Sequence, residues 1–500
     1  MLTRIRDTFR KYADNNAFCI DDNYYSYAQL LSTSADIAHA IRRINPEKNQ
    51  MIGIFLSDDL ETFASIFGIW FSGNTYVPLH PGNPPERNAS IIEQAEIKIV
   101  LHAGNEDEMN AIKKTGKRNF ISLNALSLDN SFNEDDICVD FSDDRFVYML
   151  FTSGSTGVPK GVPITFGNLQ SFLKNHDSAM GYSYTPDDRF LQMFDLTFDL
   201  SVVSYLAPLL NGACVYTVPY NQIKYTHIYR LLEEYNLTSA IIVPSVLALL
   251  KPYFEDILLE NLRYAMLSGE AVPLELTLAW QKCCPNAIFQ NLYGPTEATI
   301  YCVTHTIPRS DIKSANGIVS IGKPNIEVDA LILSEENEVL GCNEKGELCL
   351  TGNQVTPGYW KNPEKNKESF IEIKGKKYYR TGDVCMKDEA GDYFYLGRKD
   401  HQVKIQGYRI ELSEVEFHAK TMLDGRDAVA SAIRDENGNA LIALVIEGEE
   451  MQLENFLVKM REKLPGYMIP ARFKFIEKFP LNANGKTDRK ALTEVAMSIV

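Results

Sequence analysis

The sequence predicts an α/β protein: a large N-terminal unit of layered β-sheets flanked by helices, residues 1–399, then a small α+β unit, residues 400–500. Three observations carry this. β-branched runs such as FVYML, AIIVPS and ALIL alternate with helical stretches such as TFASIFGIWFSG and HIYRLLEEYN up to residue 400, and such alternation favours largely parallel sheets. A chain of 500 residues exceeds one comfortable core, because domains run to roughly 100–200 residues. Beyond Asp400 the pattern shifts to closely spaced strands and helices.

Taken in order, the opening stretch MLTRIRDTFRKYADN sets apolar residues at helical spacing among charges and predicts a helix; it has no apolar run of the kind a secretory signal needs. MLFTSGSTGVPKGVPIT reads as an apolar strand, a small-residue loop and then a helix. The acidic, polar stretch from Glu106 to Asp144 predicts a loop-rich connection inside the large unit. A Gly-containing turn in EAGDYFYLG predicts a hairpin ahead of Gly397. Ser413 followed by Glu416 is a capping-box pattern, which predicts a helix through Val415 and Phe417. The chain then carries strand, helix, strand and helix patterns and ends in the Gly- and Asn-containing stretch PLNANGKTDRK.

Composition excludes several function classes. A hydrophobic share of 45% with 23% charged residues of mixed sign is that of a globular chain and not a disordered one. A formal charge of −16 opposes a general nucleic-acid surface, since affinity for a polyanion comes from Lys and Arg. No segment reaches the ~18 consecutive apolar residues of a membrane helix, and a cytoplasmic protein is expected. Nine cysteines, at 19, 138, 214, 283, 284, 302, 342, 349 and 385, lack CxxC spacing and are expected to be reduced and buried. Eight histidines form no HExxH-type cluster, so no protein-ligated transition metal is expected.

The loop from Thr152 to Lys160 is the first candidate site. Thr152, Ser153, Gly154, Ser155, Thr156 and Gly157 are small enough for successive N–H groups to point inward around an oxyanion; hydroxyls add donors and Lys160 adds charge. Such a loop suits a polyphosphate. It is not the GxxxxGK[ST] pattern, so the usual P-loop fold is not implied, and by composition alone it could equally be ordinary flexible surface.

At this loop the sequence resembles the adenylate-forming superfamily, which holds acyl- and aryl-CoA synthetases, luciferases and amino-acid adenylation domains. The resemblance continues in family order through GNTYVPLHPGNPPER (73–87), FDLS (198–201), NLYGPTEAT (291–299), YRTGD (379–383), GRKDHQVKIQGYRIE (397–411) and NANGKTDRK (482–490). It implies the two-domain fold of these enzymes with a mobile small domain, ATP and Mg²⁺ as cofactors, and activation of a carboxylic acid as its adenylate with release of pyrophosphate.

The resemblance also implies roles. Tyr293 offers a flat face to adenine, with Asn291, Leu292, Ser268, Gly269, Glu270 and Tyr395 around it; Thr296 meets the α-phosphate and Glu297 holds Mg²⁺, a metal usually bound by few carboxylates plus substrate phosphates. Asp383 would accept the ribose hydroxyls beside Arg398. Lys486 would stabilise charge as pyrophosphate leaves. Asp400 would be the hinge about which the small domain swings to present the loop around Gly407 for transfer to a thiol.

FDLS bears on the substrate, because Asp199 stands where amino-acid-activating members hold an α-ammonium; it could instead cap the helix that follows. Leu200, Val203, Ile242, Met266, Ser268, Leu292, Ile300 and Tyr301 would line the pocket, and apolar walls without a second charge fit a small, uncharged side chain. Within that branch the chain looks most like free-standing ligases that load D-alanine onto a carrier protein, on FDLSV, SGEAVP, LYGPTEAT and GYMIP. Ser268, where those ligases commonly have cysteine, and the stretch after FDLSV depart from the pattern; Gln406 in KIQG departs from the usual KIRG of multidomain peptide synthetases, a position at which the free-standing ligases vary too. Ten residues follow Lys490, so a phosphopantetheine carrier protein is expected in trans. Ligation of another small amino acid, acyl- or aryl-CoA ligation, and a non-catalytic nucleotide-binding module stay as alternatives.

Overall fold

Two large sheets and the helices between them form the core of the N-terminal part of this computed structural model, which describes residues 1–103, 119–123, 137, 141–154, 157–179, 181–219, 224–400, 402–423, 426–435, 439–481 and 487–498. The first sheet has nine strands; its interior, in spatial order Asn16–Ile20, Cys214–Thr217, Arg189–Gln192, Ser239–Ile242, Tyr264–Ser268 and Ile288–Tyr293, is parallel throughout. The second has six strands, Asn119–Ser122, Ile99–His102, Met51–Phe55, Thr75–Leu79 and Phe146–Thr152 in parallel, closed by the antiparallel Lys160–Thr165. Parallel strands buried on both faces read as continuous apolar runs, as FVYML and AIIVPS do; the run ALIL instead lies in the antiparallel strand Val328–Leu333.

One apolar cluster joins both sheets through the helices Tyr27–Ile44, Leu60–Phe71 and Asp199–Leu209. In Leu60–Phe71 every residue but Glu61 is buried, as expected of a helix that is hydrophobic all round. Its start is fixed by Asp59, whose carboxylate accepts the Thr62 N–H at 2.8 Å. The predicted N-terminal helix is Leu2–Lys11, which buries Leu2, Ile5 and Phe9.

Several expectations need correction. After the strand Phe146–Thr152 the chain does not enter a helix: it pairs back on itself as Lys160–Thr165, and the helix begins only at Phe166. The candidate phosphate loop is therefore a hairpin tip. The stretch from Glu106 to Asp144, much of it outside the described residues, includes a paired strand at Asn119–Ser122. Ser413 does not cap a helix, because the chain passes from the strand Tyr408–Glu411 straight into the helix Leu412–Met422, which takes in Ser413; the Glu416 carboxylate instead accepts from the Ala430 N–H at 2.9 Å and from Arg489 at 2.5 Å. Cys342 is exposed, although the other described cysteines are buried; Cys138 is outside the described residues.

A five-stranded antiparallel sheet follows, from Val328–Leu333 to Tyr393–Arg398, and includes the predicted hairpin: Lys376–Lys387 pairs with Tyr393–Arg398 around a turn with Gly391 at φ +84°. The described residues of 402–498 then form a hairpin (Gln402–Ile405 and Tyr408–Glu411), a three-stranded sheet and three α-helices, with apolar clusters made only of their own side chains. No helix among the described residues is long and apolar enough to cross a membrane.

Candidate active site

Backbone geometry explains the glycines of the phosphate loop. A Cβ on Gly154 would collide with the Val158 carbonyl, and Gly157, at φ +77°, donates its N–H to the Gly154 carbonyl at 3.0 Å. The Thr152 hydroxyl is buried without a partner. Ser155 and Thr156 lie outside the described residues.

Three donors of this loop, among the described residues, are engaged by the small C-terminal part. Lys160 Nζ pairs with Glu411 at 3.2 Å, the Gly154 N–H donates to Glu414 at 3.1 Å, and the Ser153 hydroxyl donates to the Arg409 carbonyl at 2.9 Å while accepting the Glu411 N–H at 3.2 Å. Two carboxylates thus stand against the candidate phosphate loop. Glu414, itself fully buried, also pairs with Arg87 at 2.6 Å.

The tip of the hairpin 402–411 is a two-residue turn with both φ values positive, Gln406 at +51° and Gly407 at +81°, the geometry that matches strand twist in tight hairpins. The Gly407 N–H donates to the Glu270 carboxylate at 2.9 Å, and a Cβ there would press on Val243 at 3.0 Å. Glu270 is held in turn by the Ser245 N–H and hydroxyl, both at 2.8 Å. The hairpin is therefore docked against the large part by hydrogen bonds at its tip and ion pairs along its side.

Glu297 is where the docking charge is most concentrated. Arg409 donates to its two oxygens at 3.1 and 2.8 Å, and the Tyr359 hydroxyl adds a bond at 2.6 Å. Burial alone would raise this carboxyl; the guanidinium and the tyrosine outweigh it and hold it at about 2. A Mg²⁺ ion on Glu297 does not fit this arrangement, because Arg409 already neutralises the carboxylate. Among the described residues no cluster of three or more His, Cys, Asp or Glu could hold a metal.

Two cavities meet beneath the hairpin. The first, of about 330 Å³, is lined by Thr152, Ser153, Asp199, Leu200, Ser268, Thr296 and Ile300; the second, of about 670 Å³, by Glu270, Asn291, Leu292, Tyr293, Tyr395 and Asp400. Gly269, Gly294, Asp383, Arg398 and Lys404 line both. A third cavity of about 350 Å³ shares Asp195, Phe198, Leu200, Gly407 and Tyr408 with the first.

Asp199 carries the most informative geometry. It is the first residue of its helix, Phe198 is the N-cap, and no side-chain cap bond forms, so the capping alternative is not what the structure contains. The residue is 8% exposed and its Oδ2 has no partner. Burial pushes its carboxyl up to about 6 despite the nearby Thr296 hydroxyl. A buried carboxylate oxygen without a partner is costly unless a ligand completes it.

The other predicted residues divide. Asp383 accepts Arg398 at 2.7 Å and the Tyr293 hydroxyl; Arg398 also grips Asp400 at 2.7 and 2.8 Å; Asn291 donates to the Ser320 carbonyl at 3.0 Å. Val203, Ile242, Met266 and Tyr301 are buried behind the cavity surface, the Tyr301 hydroxyl on His176 Nδ1 at 2.5 Å. Ser268 turns its hydroxyl to the Leu292 carbonyl at 2.7 Å. Lys486 lies outside the described residues, between Leu481 and Thr487, which bridge each other. Sequence reasoning missed Lys404, Arg409, Glu411 and Glu414. The signal available was partial: Lys404 stands between the apolar Val403 and Ile405, and Arg409 and Glu411 flank Ile410.

Known proteins share the sequence pattern and the fold of this chain. The profile of a family described as AMP-binding enzyme matches residues 5–360. The chain is 32% identical over 482 residues to a linear gramicidin synthase protein of Brevibacillus parabrevis, covering 95% of this chain and 9% of that protein. It is 30% identical over 502 residues to a D-alanine–D-alanyl carrier protein ligase of Bacillus cytotoxicus, covering 98% of each. The chain thus spans a small fraction of the first relative and nearly all of the second. Among solved structures, the adenylation domain AlmE of Vibrio cholerae, in complex with glycyl-adenosine-5'-phosphate, matches with a TM-score of 0.85 at 24% identity, over 99% of this chain and 97% of that one, a likeness of fold.

Proposed function

We propose that this chain, which belongs to the AMP-binding enzyme family, activates an amino acid as its aminoacyl-adenylate at the expense of ATP and passes it to the phosphopantetheine thiol of a separate carrier protein. The observation that carries the amino-acid reading is the buried, unpartnered Oδ2 of Asp199 facing the first cavity. An α-ammonium there would satisfy it; a fatty or aryl acid would leave it orphaned.

Adenine and ribose fit the second cavity, with Tyr293, Asn291 and Tyr395 around the base and Asp383 toward the ribose. The α-phosphate then falls at the junction, near Thr296, and the acid carboxylate beside it. In the first half-reaction a carboxylate oxygen bonds to the α-phosphorus and pyrophosphate leaves with the bonding electron pair. Two anions approach each other, so positive charge delivered to the junction lowers the barrier, and Lys486 is the residue for which the sequence pattern suggests that role. In the second half-reaction the thiol sulfur attacks the acyl carbon. The docked hairpin supports a reading of this arrangement as the second state, since the loop donors and Glu297 are already occupied by Glu411, Glu414 and Arg409. The third cavity, beside Phe198 and Gly407, offers the thiol a path.

Walls of Leu200, Ser268 and Ile300 with larger side chains packed behind them favour a small side chain, and D-alanine is the first choice, ahead of another small amino acid. A CoA ligase for a simple carboxylic acid is the competing reading. Exchange of labelled pyrophosphate into ATP across both enantiomers of the amino acids and simple acids tests it; stimulation by simple acids alone would refute the amino-acid assignment.

A further inference from the structure

Glu414 bridges two donors of the large part. One of its oxygens accepts from the Arg87 guanidinium at 2.6 Å and the other from the Gly154 N–H at 3.1 Å. Arg87 stands in the first turn of the helix Pro85–Gln94, its side chain 8% exposed, and lines the first cavity with Thr152 and Ser153. Among the described residues, Glu414 is its ionic partner. Two oxygens of a carboxylate and two oxygens of a phosphoryl group are set nearly the same distance apart, and a guanidinium recognises either. Donors spaced for the one are therefore spaced for the other.

We propose that Arg87 is a binding residue for the outer phosphates of ATP, the pair that leaves as pyrophosphate, and that it exchanges them for Glu414 when the hairpin docks. This rests on the reading under Proposed function. Arg87 and Gly154 both belong to the large part, whereas Glu414 belongs to the helix Leu412–Met422 that follows the hairpin. When the small part moves away, Glu414 leaves with it, and Glu411 leaves Lys160 in the same movement. Two cations and an N–H group then face the first cavity without a carboxylate from the small part. With the α-phosphate at Thr296, the rest of the triphosphate extends along the loop toward them. Thr152, whose hydroxyl is buried without a partner, lines the same cavity.

Arg87 makes and breaks no bond to phosphorus. A guanidinium stays protonated at any pH the enzyme meets, so it holds charge and moves no proton. The two occupants exclude each other. While phosphate oxygens sit on Arg87 and Gly154, Glu414 is kept off by like charge as well as by space; once pyrophosphate is gone, the carboxylate takes up the same two donors. Loss of the guanidinium must therefore weigh on nucleotides that carry the outer phosphates and not on AMP.

Removing Arg87 alone mixes two effects of opposite sign, because it also loosens docking and so frees the loop. The test is therefore made where the docking partner is already gone: Glu414→Ala is compared with Glu414→Ala carrying Arg87→Met or Arg87→Lys. Calorimetry measures ATP and AMP affinity, each with Mg²⁺ and without any acid. The expected result on adding Arg87→Met is ATP affinity lower by about 10- to 100-fold, the size of effect of one charge-assisted hydrogen bond, with AMP affinity changed by under about twofold. Arg87→Lys keeps the charge and recovers part of the loss. AMP binding also reports that the variants are folded. A guanidinium that only latches the hairpin has nothing left to hold in Glu414→Ala, so equal ATP affinity with and without Arg87 overturns the proposal. AMP affinity that falls as far as ATP affinity overturns it too. If wild type forms adenylate from simple acids and not from amino acids, the amino-acid reading fails, and the two nucleotide affinities, measured without any acid, still decide the role of Arg87.

Discussion

Replacing Asp199 by Asn should make the ligand-free protein more stable while removing its activity. The carboxyl is moved from an ordinary value of 3.8 to about 6, chiefly by burial. At about 1.36 kcal/mol per unit, that shift is worth about 3 kcal/mol. The sign follows from linkage. The folded state binds this proton more tightly than the unfolded chain, so the cost of the ionised group is fully present above about pH 6, shrinks as pH falls, and vanishes below the unfolded value. The Asn variant carries no such cost. Thermal melting without ligand should therefore show Asp199→Asn above wild type at pH 8 by up to about 3 kcal/mol, with the gap narrowing toward pH 4. In the same variant, amino-acid-dependent exchange should drop by 100-fold or more, because an unpaired buried ammonium costs roughly 3–5 kcal/mol. A variant less stable than wild type at pH 8, or a gap that does not change with pH, would refute the account of Asp199 as a strained ligand site.

Three further outcomes are expected. Lys486→Ala should reduce adenylate formation by several orders of magnitude with little change in ATP affinity by calorimetry; near-normal exchange would remove Lys486 from the mechanism. Glu414→Gln breaks a buried pair with Arg87 and frees the Gly154 N–H, weakening docking by on the order of 3 kcal/mol, so apparent ATP affinity should rise while transfer to a thiol slows. Unchanged ATP affinity would mean that docking does not compete with the phosphates. Asp400→Pro should restrict the backbone between Arg398 and Gln402 and impair one half-reaction more than the other, as read by exchange and by transfer; equal retention of both would count against a hinge there.

What the sequence made legible follows from the range of the interactions. Parallel strands such as Ser239–Ile242 and Tyr264–Ser268 are buried on both faces and announce themselves as apolar runs. The local turn at Gly391 and the helix at Leu2–Lys11 were equally plain. The helix expected after the phosphate loop was not, because the pairing of Lys160–Thr165 with Phe146–Thr152 overrides local preference. Ser413 failed as a cap for a similar reason: Glu411 is already fixed in a strand pair with Gln402. Lys160 meets Glu411 across 251 positions and Gly154 meets Glu414 across 260, contacts no periodicity encodes. Those contacts engage the loop donors that the sequence pattern assigns to the phosphates.

The central claim is that Asp199 selects an acid bearing an α-ammonium. Its most direct test is pyrophosphate exchange with alanine, in both enantiomers, and with propionate, which differs only in lacking the amino group. The account predicts kcat/KM for one alanine enantiomer at least about 100-fold above propionate, a ratio that collapses in Asp199→Asn. Equal use of propionate and alanine by the wild-type enzyme would contradict it.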